Sequence, residues 1–365
     1  MQAAHFSGED SLIEPKASEE SLQMWIINPV HNPGWDLVAA LHRDAGCFHT
    51  SAWAKVLHRT YNHRPFYLQF SRGRRLAALI PLMEVRSALT GRRGVCLPFS
   101  DMCEPLIFDR GVAHLVRDRV LCFARERRWK HLEIRGGKSF QLACNSTAKF
   151  YGHTLDLCAR VEELADRFSS PVRRALRKAG RNGVSVEIVR NRQAITDFYR
   201  LHVQTRRRHG LPPQPASFFV NIYEHIIKPG LGFVVLAQQR SRSIAAAIFF
   251  RFGKNAIYKY GASDQKFQEF RANNLVMWQG IQFLVRNGAE KLHFGRTECE
   301  NEGLRRFKLS WGTEEETIAY FRVDPLGRER LVAVRSDSGF HKKIFARLPL
   351  AVNRLAGAMI YPHLD

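Results

Sequence analysis

Lys308 is the residue whose setting most calls for a chemical explanation. In Gly303-Leu304-Arg305-Arg306-Phe307-Lys308-Leu309-Ser310-Trp311-Gly312, Leu304, Phe307 and Trp311 recur at i, i+3 and i+7 and read as one inward stripe. Lys308 lies beside that stripe, about one turn from Leu304 and Trp311. An ammonium lodged against apolar surface must pair or act, because its desolvation is costly, unless its stem snorkels to water. Just upstream, His293-Phe294-Gly295-Arg296-Thr297-Glu298 leaves a strand into a polar loop, which adds Arg296 and Glu298 to the candidate site residues.

Other segments carry charge or hydroxyls at telling spacings. Tyr258 and Tyr260 flank Lys259 at the end of a strand, and strict alternation would put both hydroxyls on one face, where a tyrosine suits proton relay or a carbonyl contact. Arg271-Ala272-Asn273-Asn274 then opens a helix, and free N–H groups at a helix N-terminus favour an anion or a carbonyl. In Pro171–Arg181, residues Arg173, Arg174, Arg177, Lys178 and Arg181 fall on one arc of about 140°, with Val172, Ala175, Leu176 and Ala179 opposite. Like charges so arranged repel by tenths of a kcal/mol per pair, so the face is either simply solvated or neutralised by a polyanion. Arg206-Arg207-Arg208-His209 ends another helix, where the dipole alone favours cations, and Arg207 joins the candidate anion contacts.

These residues need elements to hold them. The chain from Trp25 to about Asp156 reads as short helices at 35–45 and 49–61, a hairpin at 66–84 around Arg72-Gly73-Arg74, a helix at 112–129, and strands at 131–135 and 151–157. The second half repeats that order: helix 171–181, strand 184–189, helices 194–209 and 217–227, three strands between 231 and 260, a helix 274–286, strand 291–294, helix 303–310 and strand 317–323. The implied fold is α+β with mixed, mostly antiparallel sheets, in two domains at 25–160 and 161–325. A disordered tail over 1–24 and a helical tail over 326–365 complete the expected organisation.

Composition narrows the partners. Of 365 residues, 56 are Lys or Arg and 34 Asp or Glu, a net charge of +22, and such a field attracts phosphates, nucleic acid or anionic membrane. The excess is mostly arginine, which favours bidentate phosphate contacts. The 7 cysteines form no CxxC pair and have no histidine at metal-ligand spacing, so no metal site is expected and a reducing, cytoplasmic setting is. No 18-residue apolar run occurs. The tail Ile344–Tyr361, with Pro349 inside and the basic His341-Lys342-Lys343 before it, either docks on the second domain or makes a peripheral contact with anionic membrane at the inner face.

Gly303…Phe307-Lys308…Trp311-Gly312 resembles the G-x-x-x-F-K-x-x-[FW]-G element near the end of FemAB-type transferases, which belong to the GNAT (acyl-CoA N-acyltransferase) superfamily. Leu97-Pro98-Phe99-Ser100-Asp101 and Tyr260-Gly261-Ala262-Ser263 are similar to a FemAB-like subgroup associated with exopolysaccharide and envelope systems, and the resemblance covers roughly residues 25 to 325. It implies two tandem GNAT-like domains, the first degenerate and the second catalytic. It also implies transfer of an acyl or aminoacyl group to an amine of a peptidoglycan, polysaccharide or other envelope precursor, with no metal, covalent nucleophile or tightly bound cofactor. Lys308 inherits the oxyanion role, with Tyr258, Tyr260 and Arg296 positioning the reacting groups. Arg173, Arg174, Arg177, Lys178, Arg207, Arg271, Asn273, Asn274, Glu298 and Trp311 are the expected substrate and donor contacts.

Two departures bear on the donor. The long helical arm of the tRNA-dependent Fem enzymes has no room here. Arg271-Ala272-Asn273-Asn274-Leu275 keeps the arginine of the R/Q-x-x-G-x-G/A acetyl-CoA signature but not its glycines. Acyl-CoA, acyl carrier protein and aminoacyl-tRNA therefore all stay open as the phosphate-bearing donor. The rival readings are a nucleic-acid-binding protein using the basic helix 171–181 and a non-catalytic GNAT scaffold. The first lacks any RRM, KH or helix-turn-helix pattern, and DNA is not an expected partner.

Overall fold

The structure, a computed structural model, describes residues 21–32, 34–140, 146–325 and 339–364, with the side chains of 339–342 outside the description. The expected tail therefore lies outside it through residue 20, and its last residues instead enter a strand, Leu22–Ile27, that pairs antiparallel with Tyr67–Arg72. That strand belongs to a small sheet with Arg75–Ile80 and Leu106–Ile107.

The principal sheet runs through both halves of the chain. Its order is Ser185–Val189, Gly232–Gln239, Arg242–Phe252, Asn255–Ser263, Lys291–His293, Ala148–Asp156, Glu314–Val323, Leu132–Arg135, Gly91–Cys96, Met83–Ser87 and Arg64–Pro65. Neighbours are antiparallel except at two places. Gly91–Cys96 pairs parallel with Leu132–Arg135 after the helix Ala113–Glu126, and Asn255–Ser263 pairs parallel with Lys291–His293 after the helix Ala272–Arg286. A parallel pair needs such a crossover, and the same unit occurs once in each half.

The two units exchange strands. Ala148–Asp156 follows the first unit in sequence but lies against Lys291–His293 of the second, while Glu314–Val323 follows the second and lies against Leu132–Arg135 of the first. These two exchanged strands pair with each other from Glu314↔Thr154 to Tyr320↔Ala148 and close the sheet across the middle. The fold class is thus the α+β, mostly antiparallel tandem arrangement that the sequence implies.

Alternation along the long strands divides the core between the two faces. Phe233, Val235, Ala245, Ala247 and Phe249 pack with Val276, Ile281 and Leu284 of the helix Ala272–Arg286. Val234, Leu236, Ala246, Ile248 and Phe250 face Phe198 and Leu201 of the helix Arg192–Arg208, Phe218 and Phe219, and the aromatic interior of the first half. Some elements escape the sequence reading: the strands Met83–Ser87 and Gly91–Cys96 and the helix Val161–Arg167. The expected strand over 76–84 is broken at Pro81 and continues in the other sheet.

Candidate active site

The parallel strands Asn255–Ser263 and Lys291–His293 stay paired only as far as Ile257↔His293. Beyond that point the first continues beside Arg242–Phe252, while the chain after His293 turns away and pairs Thr297–Glu298 with Ala148–Asp156. A gap opens between Tyr258–Tyr260 and Phe294–Arg296. Its irregularity is built in: the register slips between Ile248↔Tyr260 and Phe249↔Tyr258, so Lys259 is the extra residue of a β-bulge.

The bulge corrects the expectation that Tyr258 and Tyr260 share a face. One inserted residue reverses the alternation, and the two rings go to opposite sides of the sheet. Tyr258 packs on Phe249 and Phe294, whereas Tyr260 packs among Phe198, His202, Phe218 and Phe219. The Tyr258 hydroxyl lies over Gly261, where a Cβ would come within 1.8 Å of it. Burial pushes the Tyr258 phenol up to about 12 and the Tyr260 phenol well above its ordinary value, so both are neutral donors rather than bases.

Lys259 reaches instead to the first half of the chain. Its Nζ donates to Asp101 Oδ2 at 2.6 Å and to Phe99 O at 2.7 Å. Asp101 Oδ1 accepts from the Arg296 backbone N–H at 3.2 Å, and Tyr320 Oη donates to Asp101 O at 2.7 Å. Burial alone would raise the Asp101 carboxyl, but the Lys259 ammonium outweighs it and holds the group well below the usual carboxylate range. Burial likewise depresses Lys259, with Asp101 restoring part of the loss.

Lys308 enters the gap from below. It is 3% exposed, on a helix Glu302–Leu309 whose N-cap Asn301 accepts from the Leu304 N–H. Nζ donates to Gly295 O at 2.7 Å and to Arg296 O at 3.1 Å. Gly295 stands at φ +73, a conformation that favours glycine, and this turns its carbonyl toward the lysine. Burial pulls the Lys308 ammonium down to about 8, with Asp101 opposing and Lys259 adding to the effect. An ammonium has three donors, and the two carbonyls occupy two of them. Snorkelling is excluded by its burial.

Two imidazoles adjoin it. His153 Nε2 donates to Glu315 Oε2 at 3.0 Å, and the Glu315 carboxylate is held bidentately by Arg305. Burial lowers both His153 and His293, the latter to about 4, so neither adds a cation at neutral pH. His293 Nδ1 accepts from the Gly295 N–H at 3.0 Å, bracing the turn that Lys308 grips. His293 also lines a cavity of about 1140 Å³ between the two halves, walled by Phe48, Glu104, Ile107, Lys138, Ile257 and Glu315 among others.

The remaining expected site residues divide. Arg296 is brought to the centre, its guanidinium stacked on Phe150 at 4.4 Å, with exposed Glu298 3.9 Å from it. Arg271, Asn273 and Asn274 do gather at the start of the helix Ala272–Arg286, which no side chain caps, and Asn273 donates to Ser263 Oγ. The basic arc is exposed on the helix Ser170–Arg181, which buries Val172 and Ala179 against the helix Ala272–Arg286. Arg173 spends its guanidinium on the carbonyls of Asp166 and Phe168, while Arg174, Arg177, Lys178 and Arg181 stand exposed on the same arc. Arg207 ends a helix on the opposite face of the sheet, so it does not join them. Trp311 is fully buried between Phe168 and Phe307 and presents no face to a ligand, while Leu304, expected inside, is exposed. Asp101, Lys259, His153 and His293 were not among the expected site residues. Lys259 lies between the two flagged tyrosines and Asp101 ends a flagged segment, but only the bulge and the strand exchange bring them together. Among the described residues no group of His, Cys, Asp and Glu is arranged to hold a metal.

A strand gap beside a bulge, a helix N-terminus following the bulged strand, and a helical crossover to the parallel partner define an N-acyltransferase fold. Residues 166–315 match the family described as the acetyltransferase (GNAT) domain. Residues 166–315 thus carry a GNAT-type domain, set in the tandem arrangement described above. The chain is similar to the crystal structure of FemX, with a TM-score of 0.66 at 15% identity over 81% of this chain and 96% of that one. A tandem GNAT protein from the clavulanic acid biosynthesis pathway aligns with a TM-score of 0.52 at 10% identity, covering 84% and 99% of the two chains. In sequence, 76 residues are 30% identical to a lipid II:glycine glycyltransferase of Staphylococcus haemolyticus, covering 19% of this chain and only 18% of that protein.

Proposed function

We propose that this protein is an acyltransferase that moves an acyl or aminoacyl group from a phosphate-bearing donor to an amine of a cell-envelope precursor, with a peptidoglycan peptide as the leading acceptor. The observation that carries the reading is Lys308: a buried ammonium at the strand gap, fixed by two carbonyls, with one donor unspent. That third N–H is available to the carbonyl oxygen of the donor as it becomes an oxyanion. A preorganised cation in a site of low dielectric contributes a few kcal/mol to such a transition state, about 10²–10³ in rate. Asp101 anchors Lys259 and Arg296 around it, so the local excess of positive charge is one that an oxyanion relieves.

In this reading the acceptor enters through the cavity between the halves, and its amine attacks at the end marked by His293. The donor lies on the other face, with its phosphates toward Arg271, Asn273 and Asn274 and the basic side chains Arg174, Arg177 and Lys178. The amine nitrogen forms the new C–N bond, the donor C–O or C–S bond breaks, and the amine proton leaves with the departing oxygen or sulfur. No covalent enzyme intermediate is needed, and the donor is a consumed substrate. The family resemblance and the staphylococcal match support a peptidoglycan acceptor, and the cavity's mixture of apolar side chains with Glu104, Lys138 and Glu315 suits a peptide. This reading puts the reaction in the cytoplasm, where such donors are made.

The test is direct. The protein is incubated with a nucleotide-linked peptidoglycan peptide and, in separate arms, a charged tRNA pool or a panel of acyl-CoA thioesters, and the acceptor is followed by mass spectrometry. A mass increase of one acyl or aminoacyl unit supports the reading and names the donor. No increase in either arm, with salt-sensitive RNA binding instead, would replace it with the nucleic-acid reading.

A further inference from the structure

The C-terminal helix Leu350–Ile360 is turned the opposite way from an ordinary surface helix. Its inward side is polar or small. Asn353 is fully buried and donates toward Leu211 O at 3.5 Å, and Gly357 passes so close to Pro213 that a Cβ would sit 2.0 Å from its carbonyl oxygen. Tyr361, one further turn on, is buried and accepts from Arg206 Nη2 at 2.9 Å. At 100° per residue these anchors lie on one side, and Ala351, Val352, Leu355, Ala358 and Met359 fall on the other. All five are exposed, Leu355 by 63% and Met359 by 66%. Ile344 in the preceding helix Gly339–Arg347 and Leu364 beyond add to the apolar surface.

The charge along this segment has one sign. Between Gly339 and Leu364 there is no acidic residue, while Lys343, Arg347 and Arg354 are exposed there. Arg207 and Arg208 stand exposed beside the Arg206–Tyr361 contact. Neither helix, at 9 and 11 residues, is long enough to cross a bilayer, and the chain breaks between them at Pro349. An outward apolar face rimmed by cations and lacking directional polar groups matches the boundary between acyl chains and anionic headgroups.

We infer that this face docks the protein on an anionic lipid surface, with Val352, Leu355 and Met359 inserted and Lys343, Arg347 and Arg354 among the headgroups. The inference stands on the tail alone and does not depend on the chemistry proposed for Lys308.

Vesicle co-sedimentation tests it, using the full chain and vesicles of phosphatidylcholine with or without about a third of phosphatidylglycerol. The wild type is expected to partition onto the anionic vesicles and to be released by high salt. Leu355→Glu/Met359→Glu should weaken partitioning by at least about tenfold, since two inserted side chains become anions at an anionic surface. Both positions are exposed, so the melting temperature should not fall. Lys308→Met should bind vesicles like the wild type, which separates this inference from the catalytic reading. Equal partitioning by the wild type and the double variant would overturn it. So would absence of vesicle binding together with a wild-type dimer that the double variant converts to monomer, which would make the face a contact between copies.

Discussion

Replacing Asp101 by asparagine tests whether the reaction centre is held together by charge. The change keeps the shape and removes one acceptor. Asp101 now serves two donors, Lys259 Nζ at 2.6 Å and the Arg296 N–H at 3.2 Å. Asparagine can satisfy only one with its oxygen, so its amide must face the other donor to donor. Solvent cannot take over, because the Lys259 and Asp101 side chains are 8% and 16% exposed. Breaking a buried pair from one side costs about 3–5 kcal/mol, most of it the cost of the stranded ion. For a chain of this length that is a fall of roughly 4–7 °C in melting temperature. Calorimetry on the wild type, Asp101→Asn, Lys259→Met and the double variant measures it, and the double variant should recover much of the single-variant loss. The pH dependence has a defined sign. Because the folded carboxyl is held below its ordinary 3.8, the unfolded chain binds more protons in acid, so this contribution is present above that value and lost as pH falls below it. The gap between wild type and Asp101→Asn therefore closes toward acid pH. A variant melting within about 1 °C of wild type at neutral pH, or strictly additive single effects, would refute the reasoning.

Other outcomes follow from the same geometry. Gly261→Ala should displace the Tyr258 ring rather than unfold the chain, so its melting temperature changes little while its turnover matches that of Tyr258→Phe; equal turnover to wild type in both would remove Tyr258 from the site. Tyr260→Phe, on the opposite face, should leave turnover within about twofold of wild type, well short of the loss expected for a true site donor. Changing Arg174, Arg177 and Lys178 together to alanine should raise the donor KM and flatten its salt dependence without lowering the melting temperature, and an unchanged KM would leave that helix a solvated face.

The sequence revealed what local pattern encodes. The order of elements, the basic arc and the burial-prone Lys308 all rest on periodicities of 3.6 or 2, and each reappears in the structure. What stayed hidden depends on contacts distant along the chain. The exchange of Ala148–Asp156 and Glu314–Val323 between units, and the 158-residue separation of Asp101 from Lys259, leave no local mark. The bulge at Lys259 was equally invisible, since one inserted residue changes the face of a tyrosine without changing composition. Trp311 shows the converse limit, because an aromatic at the right spacing for a site is here part of the core.

The most direct test of the central claim is the rate of acyl transfer by wild type and Lys308→Met as a function of pH. Lowering the ammonium from its ordinary 10.5 to about 8 means that folding a protonated Lys308 costs roughly 3 kcal/mol. Methionine removes that cost while leaving two carbonyls without a donor, so the variant should stay folded with little change in melting temperature. The wild-type rate should fall as pH rises through about 8, where the oxyanion partner loses its proton. Lys308→Met should be slower by about 10²–10³ at neutral pH and should lack that alkaline limb. A folded Lys308→Met that transfers at the wild-type rate, with the same alkaline limb, would contradict the account.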